Sequence, residues 1–391
     1  MSKIKAMTGN SAAATAALLA RPGVIAAYPI TPQSSVVEAL AGFIASGELK
    51  SKMIQVESEH SACSVVSGAS LVGERTFTAT SAQGLALMYE PYFRASTLRL
   101  PIMMPIACRE MTSPSSIWCG QQDAMTVRDA GWLQIYVENC QEIMDMILQG
   151  YMLAEDPEIM LPINICYDGF YLSHMVERVE VPEQEEVDAF LPPYRNNMAY
   201  LDPNDPMAVD PLTNGALMTE YRCSHMLAMQ AALKKLAEID TKFGAAFGRS
   251  YGGPIECYRM EDAKIALVTI GSMTGTAKEA VDIARENGVK VGLIKIRMMR
   301  PFPQELVLDA LSGVERWAAI DRAVSFGWNC GPVYVETRAA AGKLDRYSLS
   351  FIGGLGGSDI SLNAVGKAID TLNAAVKPCG TTIWLNKDFE G

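Results

Sequence analysis

The sequence predicts an α/β protein of two parallel-sheet domains. Apolar runs alternate with helical patterns from residue 10 to about 175, the pattern weakens from about 177 to 260, and it resumes from 264 onward. At 391 residues the chain is also too long for one ordinary core. The first stretch holds predicted strands at 23–28, 53–56, 75–80, 101–107, 133–137 and 162–167, each followed by a turn and a helical pattern. Asn10 is placed to cap an Ala-rich first helix, which Pro22-Gly23 stops.

Beyond residue 177 the segments Val181-Pro182-Glu183, Leu191-Pro192-Pro193-Tyr194 and Asp202-Pro203-Asn204-Asp205-Pro206 break the alternation, with one helical stretch near 224–239. A long irregular connector that wraps over a neighbour is expected there. The second domain then reads as a strand at 264–270, a helix at 274–286, a strand at 290–296, a Pro301-Phe302-Pro303 turn and a helix from Gln304.

Composition removes several function classes. With 49% hydrophobic and 20% charged residues and no apolar run of about 18, no membrane span is expected. A net charge of −11 and a pI near 5.0 argue against nucleic acid or an anionic membrane as the main partner. The start, Met1-Ser2-Lys3-Ile4-Lys5, lacks a signal-cleavage pattern, so a cytoplasmic location is expected. Nine scattered cysteines form no C-x-x-C motif and read as free thiols in a reducing compartment. His60, His174 and His225 are too few for a histidine-rich metal site, and Cys223 beside His225 does not make a zinc site.

In open parallel sheets, ligands bind beyond the carboxyl ends of the strands. After the predicted strands come Pro29-Ile30-Thr31-Pro32-Gln33, Glu57-Ser58-Glu59, Ser81-Ala82-Gln83-Gly84 and Cys108-Arg109-Glu110. A hydroxyl, a carboxylate, a polar loop and a guanidinium therefore converge on one edge. Glu59 stands at a strand-to-helix turn, where low dielectric raises a carboxyl pKa and lets it share a proton with a heterocyclic nitrogen. Taken singly, each residue has a plainer use: Thr31 as a turn starter or cap, Glu59 as a helix N-terminal carboxylate, Arg109 as an ion-pair partner of Glu110 or Asp123. The small-residue run 59–70 suits an interface as well as a cofactor pocket. Gly353-Gly354-Leu355-Gly356-Gly357 does not spell a phosphate loop; it is expected to close a turn, with Ser358 or Asp359 capping the last helix.

Read together, Ala27-Tyr28-Pro29-Ile30-Thr31-Pro32, Val56-Glu57-Ser58-Glu59-His60-Ser61-Ala62, Thr78-Ala79-Thr80-Ser81-Ala82-Gln83-Gly84-Leu85 and Arg128-Asp129-Ala130-Gly131-Trp132 closely resemble the alpha subunit of thiamine-diphosphate-dependent 2-oxoacid:acceptor oxidoreductases, the pyruvate:ferredoxin type. Arg300-Pro301-Phe302-Pro303 and Asp321-Arg322-Ala323-Val324-Ser325-Phe326-Gly327 resemble its second domain. The resemblance implies a thiamine diphosphate pyrimidine-binding domain over 1–230 and a transketolase C-terminal-like domain over 255–391. By motif position it implies that Glu59 contacts N1′ of the aminopyrimidine, that Thr31 meets substrate or cofactor, and that Arg109 holds the 2-oxoacid carboxylate. Tyr28, Pro29, Ile30, Ser81 and Gln83 would line the cofactor beside them.

The implied activity is oxidative decarboxylation of a 2-oxoacid with coenzyme A to acyl-CoA, CO2 and reduced ferredoxin or another acceptor. The chain has no Gly-Asp-Gly…Asn segment for Mg2+ and diphosphate and no cysteine run for [4Fe-4S] clusters. By resemblance these belong to a beta subunit, a gamma subunit and a ferredoxin-like delta subunit, in a dimer of such assemblies. Two departures bear on substrate: Glu110-Met111-Thr112-Ser113-Pro114 follows the arginine where small or apolar residues are usual, and Gln121-Gln122 stands where a histidine often precedes the aspartate. Pyruvate is the first expectation, and an aryl 2-oxoacid such as phenylglyoxylate the alternative. A nicotinamide-dependent dehydrogenase, suggested by the α/β pattern and late glycines, and a non-catalytic scaffold subunit are the competing classes.

Overall fold

The computed structural model describes residues 3–195 and 200–387. The outermost residues of both expected domains, 1–2 and 388–391, and residues 196–199 of the expected connector lie outside them. The first half contributes β1 (Lys3–Thr8), β2 (Val24–Ala27), β3 (Lys52–Gln55), β4 (Thr76–Phe77), β5 (Ile102–Cys108), β6 (Leu133–Tyr136), β7 (Ile163–Asp168) and β8 (Val176–Val181). The second half contributes β9 (Ile255–Tyr258), β10 (Ile265–Thr269), β11 (Val291–Ile296), β12 (Met298–Arg300), β13 (Arg316–Asp321), β14 (Tyr347–Ile352) and β15 (Thr382–Trp384).

The first sheet has the order β12-β6-β7-β5-β4-β2-β3, parallel except for β12, which runs antiparallel to β6. All seven residues of β5 are buried, as an apolar strand covered on both faces requires. The second sheet has the order β15-β14-β13-β10-β11-β9, with β9 antiparallel to β11 and the other pairs parallel. One apolar cluster runs through both sheets, from Trp132 and Tyr92 of the first to Leu267 and Val291 of the second. Trp132 stacks on Tyr92 at 4.2 Å and donates its indole N–H to the Tyr92 carbonyl at 2.7 Å.

Several local expectations change. Thr8, not Asn10, caps the first helix, because Asn10 is turned inward and its polar atoms are used elsewhere. Ser361, rather than Ser358 or Asp359, caps helix Leu362–Ala374 by accepting from the Ala364 N–H. The expected irregular connector holds β8, which pairs antiparallel with β1, then helix Gln184–Phe190 and a 33-residue helix, Gly215–Phe247. Asn214 accepts the Leu217 N–H at its start, and Gly248 closes it in the left-handed conformation at φ 70°. Only Ala228, Ala232, Leu236, Ile239, Asp240 and Phe243 of that helix are buried, so the helical stripe begins well after the helix does.

The two sheets meet at a polar seam that supports the loops of the first. Asp168, at the end of β7, accepts from the Ser272 N–H at 2.9 Å and hydroxyl at 2.5 Å. Gln122 Oε1 accepts the Val324 N–H at 2.8 Å, and the Gln121 N–H reaches the Arg322 carbonyl at 3.0 Å. Glu110 Oε1 accepts the Gly356 N–H at 2.9 Å. The Arg128-Asp129 and Arg300-Pro301-Phe302-Pro303 motifs meet in one ion cluster, in which Arg300 contacts Asp129 at 2.8 Å and Glu336 at 2.5 Å.

Candidate active site

β3 delivers the chain to Ser58, whose hydroxyl accepts the Ser61 N–H and starts helix Glu59–Leu71. Glu59 is the first residue of that helix and only 5% exposed. Burial raises its carboxyl pKa, opposed only by its own backbone N–H. The short helix Ala82–Leu87 that follows β4 lies directly on it: a Cβ at Gly84 would stand 2.5 Å from Glu59 Oε1 and 2.8 Å from its Cγ. Only glycine permits that approach. Along the outer face of the helix, His60, Ser64 and Gly68 are exposed.

Arg109 ties three loops together. Its Nη1 donates to the Thr31 carbonyl at 2.5 Å and its Nη2 to Gln83 Oε1 at 2.7 Å. Its backbone N–H donates to Asp123 Oδ2 at 3.0 Å, and the Ala82 N–H reaches the same oxygen at 3.0 Å. Burial lowers the Arg109 pKa and Asp123 opposes it; a guanidinium stays charged in either case. Asp123, fully buried, is pushed up to about 7 by burial, against the pull of the Arg109, Ala82 and Ala124 N–H groups. Neither plainer partner holds the guanidinium: Glu110 turns to Gly356, and Asp123 grips the Arg109 backbone.

The loop after β2 is set by Asn10, whose Nδ2 donates to the Pro32 carbonyl at 2.6 Å and Ser35 Oγ at 2.7 Å while its Oδ1 accepts from the Tyr167 hydroxyl. Tyr28, Pro29 and Thr31 are exposed on that loop and Ile30 is half-buried. Ser81 is buried beside Ala82. Thr31, Gln83 and Arg109 are thus joined by direct hydrogen bonds, and Glu59 abuts the helix that carries Gln83 through Gly84. Among the described residues Arg109 Nε, Thr80 Oγ1 and Ser81 Oγ have no hydrogen-bond partner. These orphaned polar atoms, with a glycine cradle against a buried carboxyl, fit a polar heterocyclic cofactor and an anionic substrate. The sequence carries no signal for Asn10 as a site-builder, offers Gly84 only as part of the polar loop, and offers Asp123 as an ion-pair candidate and as the aspartate of the second departure.

Elsewhere, Gln121 Nε2 donates to Asp168 Oδ1 at 2.8 Å, so both glutamines of the second departure serve the seam. The Gly353–Gly357 region also packs there, its Gly357 carbonyl accepting from the Tyr171 hydroxyl at 3.0 Å. His225 contacts the Gly131 carbonyl at 2.9 Å. Among the described residues no group of three or more His, Cys, Asp or Glu side chains is arranged to hold a metal, and no helix is long and apolar enough to cross a membrane.

A family model described as pyruvate flavodoxin/ferredoxin oxidoreductase, thiamine diphosphate-binding, matches residues 15–240. A second, pyruvate:ferredoxin oxidoreductase core domain II, matches 263–365. The NADH-dependent phenylglyoxylate dehydrogenase subunit alpha of Aromatoleum evansii is 47% identical, covering 98% of this chain and 95% of that protein. The pyruvate synthase subunit PorA of Methanocaldococcus jannaschii is 43% identical over 98% of both. Among solved structures, 2-oxoglutarate:ferredoxin oxidoreductase from Magnetococcus marinus shares the fold at TM-score 0.73 and 20% identity, covering 94% of this chain. This chain spans 65% of that one. A split-gene transketolase follows at TM-score 0.58 and 13% identity, covering 95% of this chain and 100% of its own. The chain therefore belongs to the pyruvate flavodoxin/ferredoxin oxidoreductase family, as an alpha subunit of a thiamine-diphosphate-dependent 2-oxoacid oxidoreductase.

Proposed function

We propose that this chain supplies the aminopyrimidine-facing half of the active site and the substrate clamp, and that the preferred substrate is pyruvate. The observation that carries this is that Glu59, buried and raised in pKa, and Arg109 both close on one short segment, Glu59 on Gly84 and Arg109 on Gln83. Bound thiamine diphosphate supplies the electron sink a 2-oxoacid needs to lose CO2. Glu59, holding its proton at neutral pH more readily than a surface glutamate, exchanges it with N1′. Arg109 spends one N–H of each terminal nitrogen on Thr31 and Gln83, which leaves three of its five donors for a carboxylate. The Thr31 hydroxyl, exposed beside it, donates to the substrate's 2-oxo oxygen. Tyr28, Pro29, Ile30 and Ser81 shape the wall around these groups.

Of the two departures, Glu110, Gln121 and Gln122 are engaged at the seam: Glu110 holds Gly356, and the glutamines hold Asp168 and Val324. That favours a small 2-oxoacid. An aryl 2-oxoacid is the second reading, favoured by Trp118, which is half-exposed and lies 4.4 Å from the Phe170 ring near the same loop. Coenzyme A serves as acyl acceptor. Mg2+ and the cofactor diphosphate lie on a beta subunit, and [4Fe-4S] clusters on gamma and delta subunits that pass electrons to ferredoxin or another acceptor, in a dimer of assemblies in the cytoplasm.

The test is a substrate panel on the assembled enzyme, following coenzyme-A-dependent acyl-CoA formation with a dye acceptor. Pyruvate is expected to give the highest kcat/KM, at least about tenfold above phenylglyoxylate. A reversed order transfers the assignment to aryl substrates, and no acyl-CoA from any 2-oxoacid overturns the catalytic reading.

A further inference from the structure

We infer that Asp123 is a positioning residue for the substrate clamp: by holding the Ala82 and Arg109 N–H groups on one carboxylate oxygen, it sets the direction in which the Arg109 guanidinium meets the 2-oxoacid. This rests on the assignment of Arg109 as that clamp. Asp123 is 1% exposed, in the short helix Gln122–Thr126, and Oδ2 receives both N–H groups at 3.0 Å while Oδ1 receives that of Ala124 at 2.8 Å.

The contacts close a circuit. Asp123 fixes Ala82, the next residue Gln83 accepts from Arg109 Nη2, and the Arg109 backbone returns to Asp123. Both ends of the arginine are therefore referred to one buried carboxylate. Ala82 stands at φ 41°, in the left-handed region that a non-glycine residue occupies only when its surroundings hold it there. The Asp123 oxygen is the side-chain acceptor at that N–H. Asp123 does not hydrogen-bond the guanidinium, so it acts through Arg109 rather than on the substrate.

Only a carboxylate presents acceptors to all three donors. An asparagine keeps the size but turns an NH2 group toward at least one N–H.

The experiment compares the assembled enzyme carrying Asp123→Asn, Arg109→Ala or both. Asp123→Asn is expected to raise the KM for 2-oxoacid about tenfold, with thiamine diphosphate affinity unchanged, and to add little in the Arg109→Ala background. A lower kcat or yield at unchanged KM, or full additivity with Arg109→Ala, overturns the inference and leaves the clamp standing. An unchanged KM in Arg109→Ala overturns the clamp, and the inference with it. If Asp123→Asn does not assemble, Asp123→Glu takes its place, keeping the charge and displacing it by one methylene. A raised KM is again expected, and an unchanged one overturns the inference.

Discussion

Glu59 and Thr80 both close on Gly84, and that approach depends on a missing side chain. Gly84→Ala would crowd a methyl against Thr80 Oγ1 and set it 2.5 Å from Glu59 Oε1, pushing the hydroxyl and the carboxyl off their present lines. Turnover of the assembled enzyme is expected to fall about tenfold or more while the melting temperature moves little. Full turnover in that variant would mean that the placement of Glu59 does not matter. Thr31, Glu59, Gln83 and Arg109 were legible in the sequence because each follows an apolar strand that a parallel sheet ends at a common edge. Asn10 and Asp123 were not: Asn10 works on Pro32 and Tyr167, and Asp123 on Ala82, far away in sequence. An asparagine just ahead of an Ala-rich run looks like a cap until its burial is known.

At the scale of elements, strands were legible where their residues are continuously apolar. β5 and β7 match their expected spans closely, whereas β4 is regular only over Thr76–Phe77 within an expected 75–80. Thr78 and Thr80 still bond to Met103 and Pro105, so the chain stays extended into the Ser81 turn. The long helix Gly215–Phe247 was half legible: its first part is exposed and shows no single apolar stripe. β1 and β12 carry no strand signal of their own: four of the six residues of β1 are exposed, and β12 is three residues long. The helix Glu59–Leu71 takes its place from Ser58, a local signal, and its small outer residues suit close approach by another chain.

At the scale of the whole molecule, the second sheet acts as a buttress for the loops of the first. β12 joins the first sheet's edge, and Lys295 and Arg297, just ahead of it, bury their charges against Glu142 at 2.7 and 2.5 Å. Burial alone would raise the Glu142 carboxyl; Lys295 and Arg297 outweigh it and bring it down to about 2 from the ordinary 4.5. A depressed carboxyl stabilises the fold above its unfolded pKa and loses that contribution as pH falls through the folded one. Stability is therefore expected to drop between about pH 4.5 and 2. Glu142→Gln removes the carboxylate that both cations share but leaves Lys295 on Glu138 at 2.9 Å and Arg297 on Glu256 at 3.2 Å, so it should cost about 1.5–3 kcal/mol at neutral pH and flatten that acid limb. Melting curves against pH check this, and an unaltered acid limb in the variant would contradict it.

The proposed division of labour between this chain and its partners depends on Glu59 meeting the pyrimidine ring, and turnover of the assembled Glu59→Gln enzyme at saturating thiamine diphosphate measures that most directly. A loss of about 100-fold or more with the cofactor still retained is the expected result. Undiminished turnover would contradict the role of Glu59 outright.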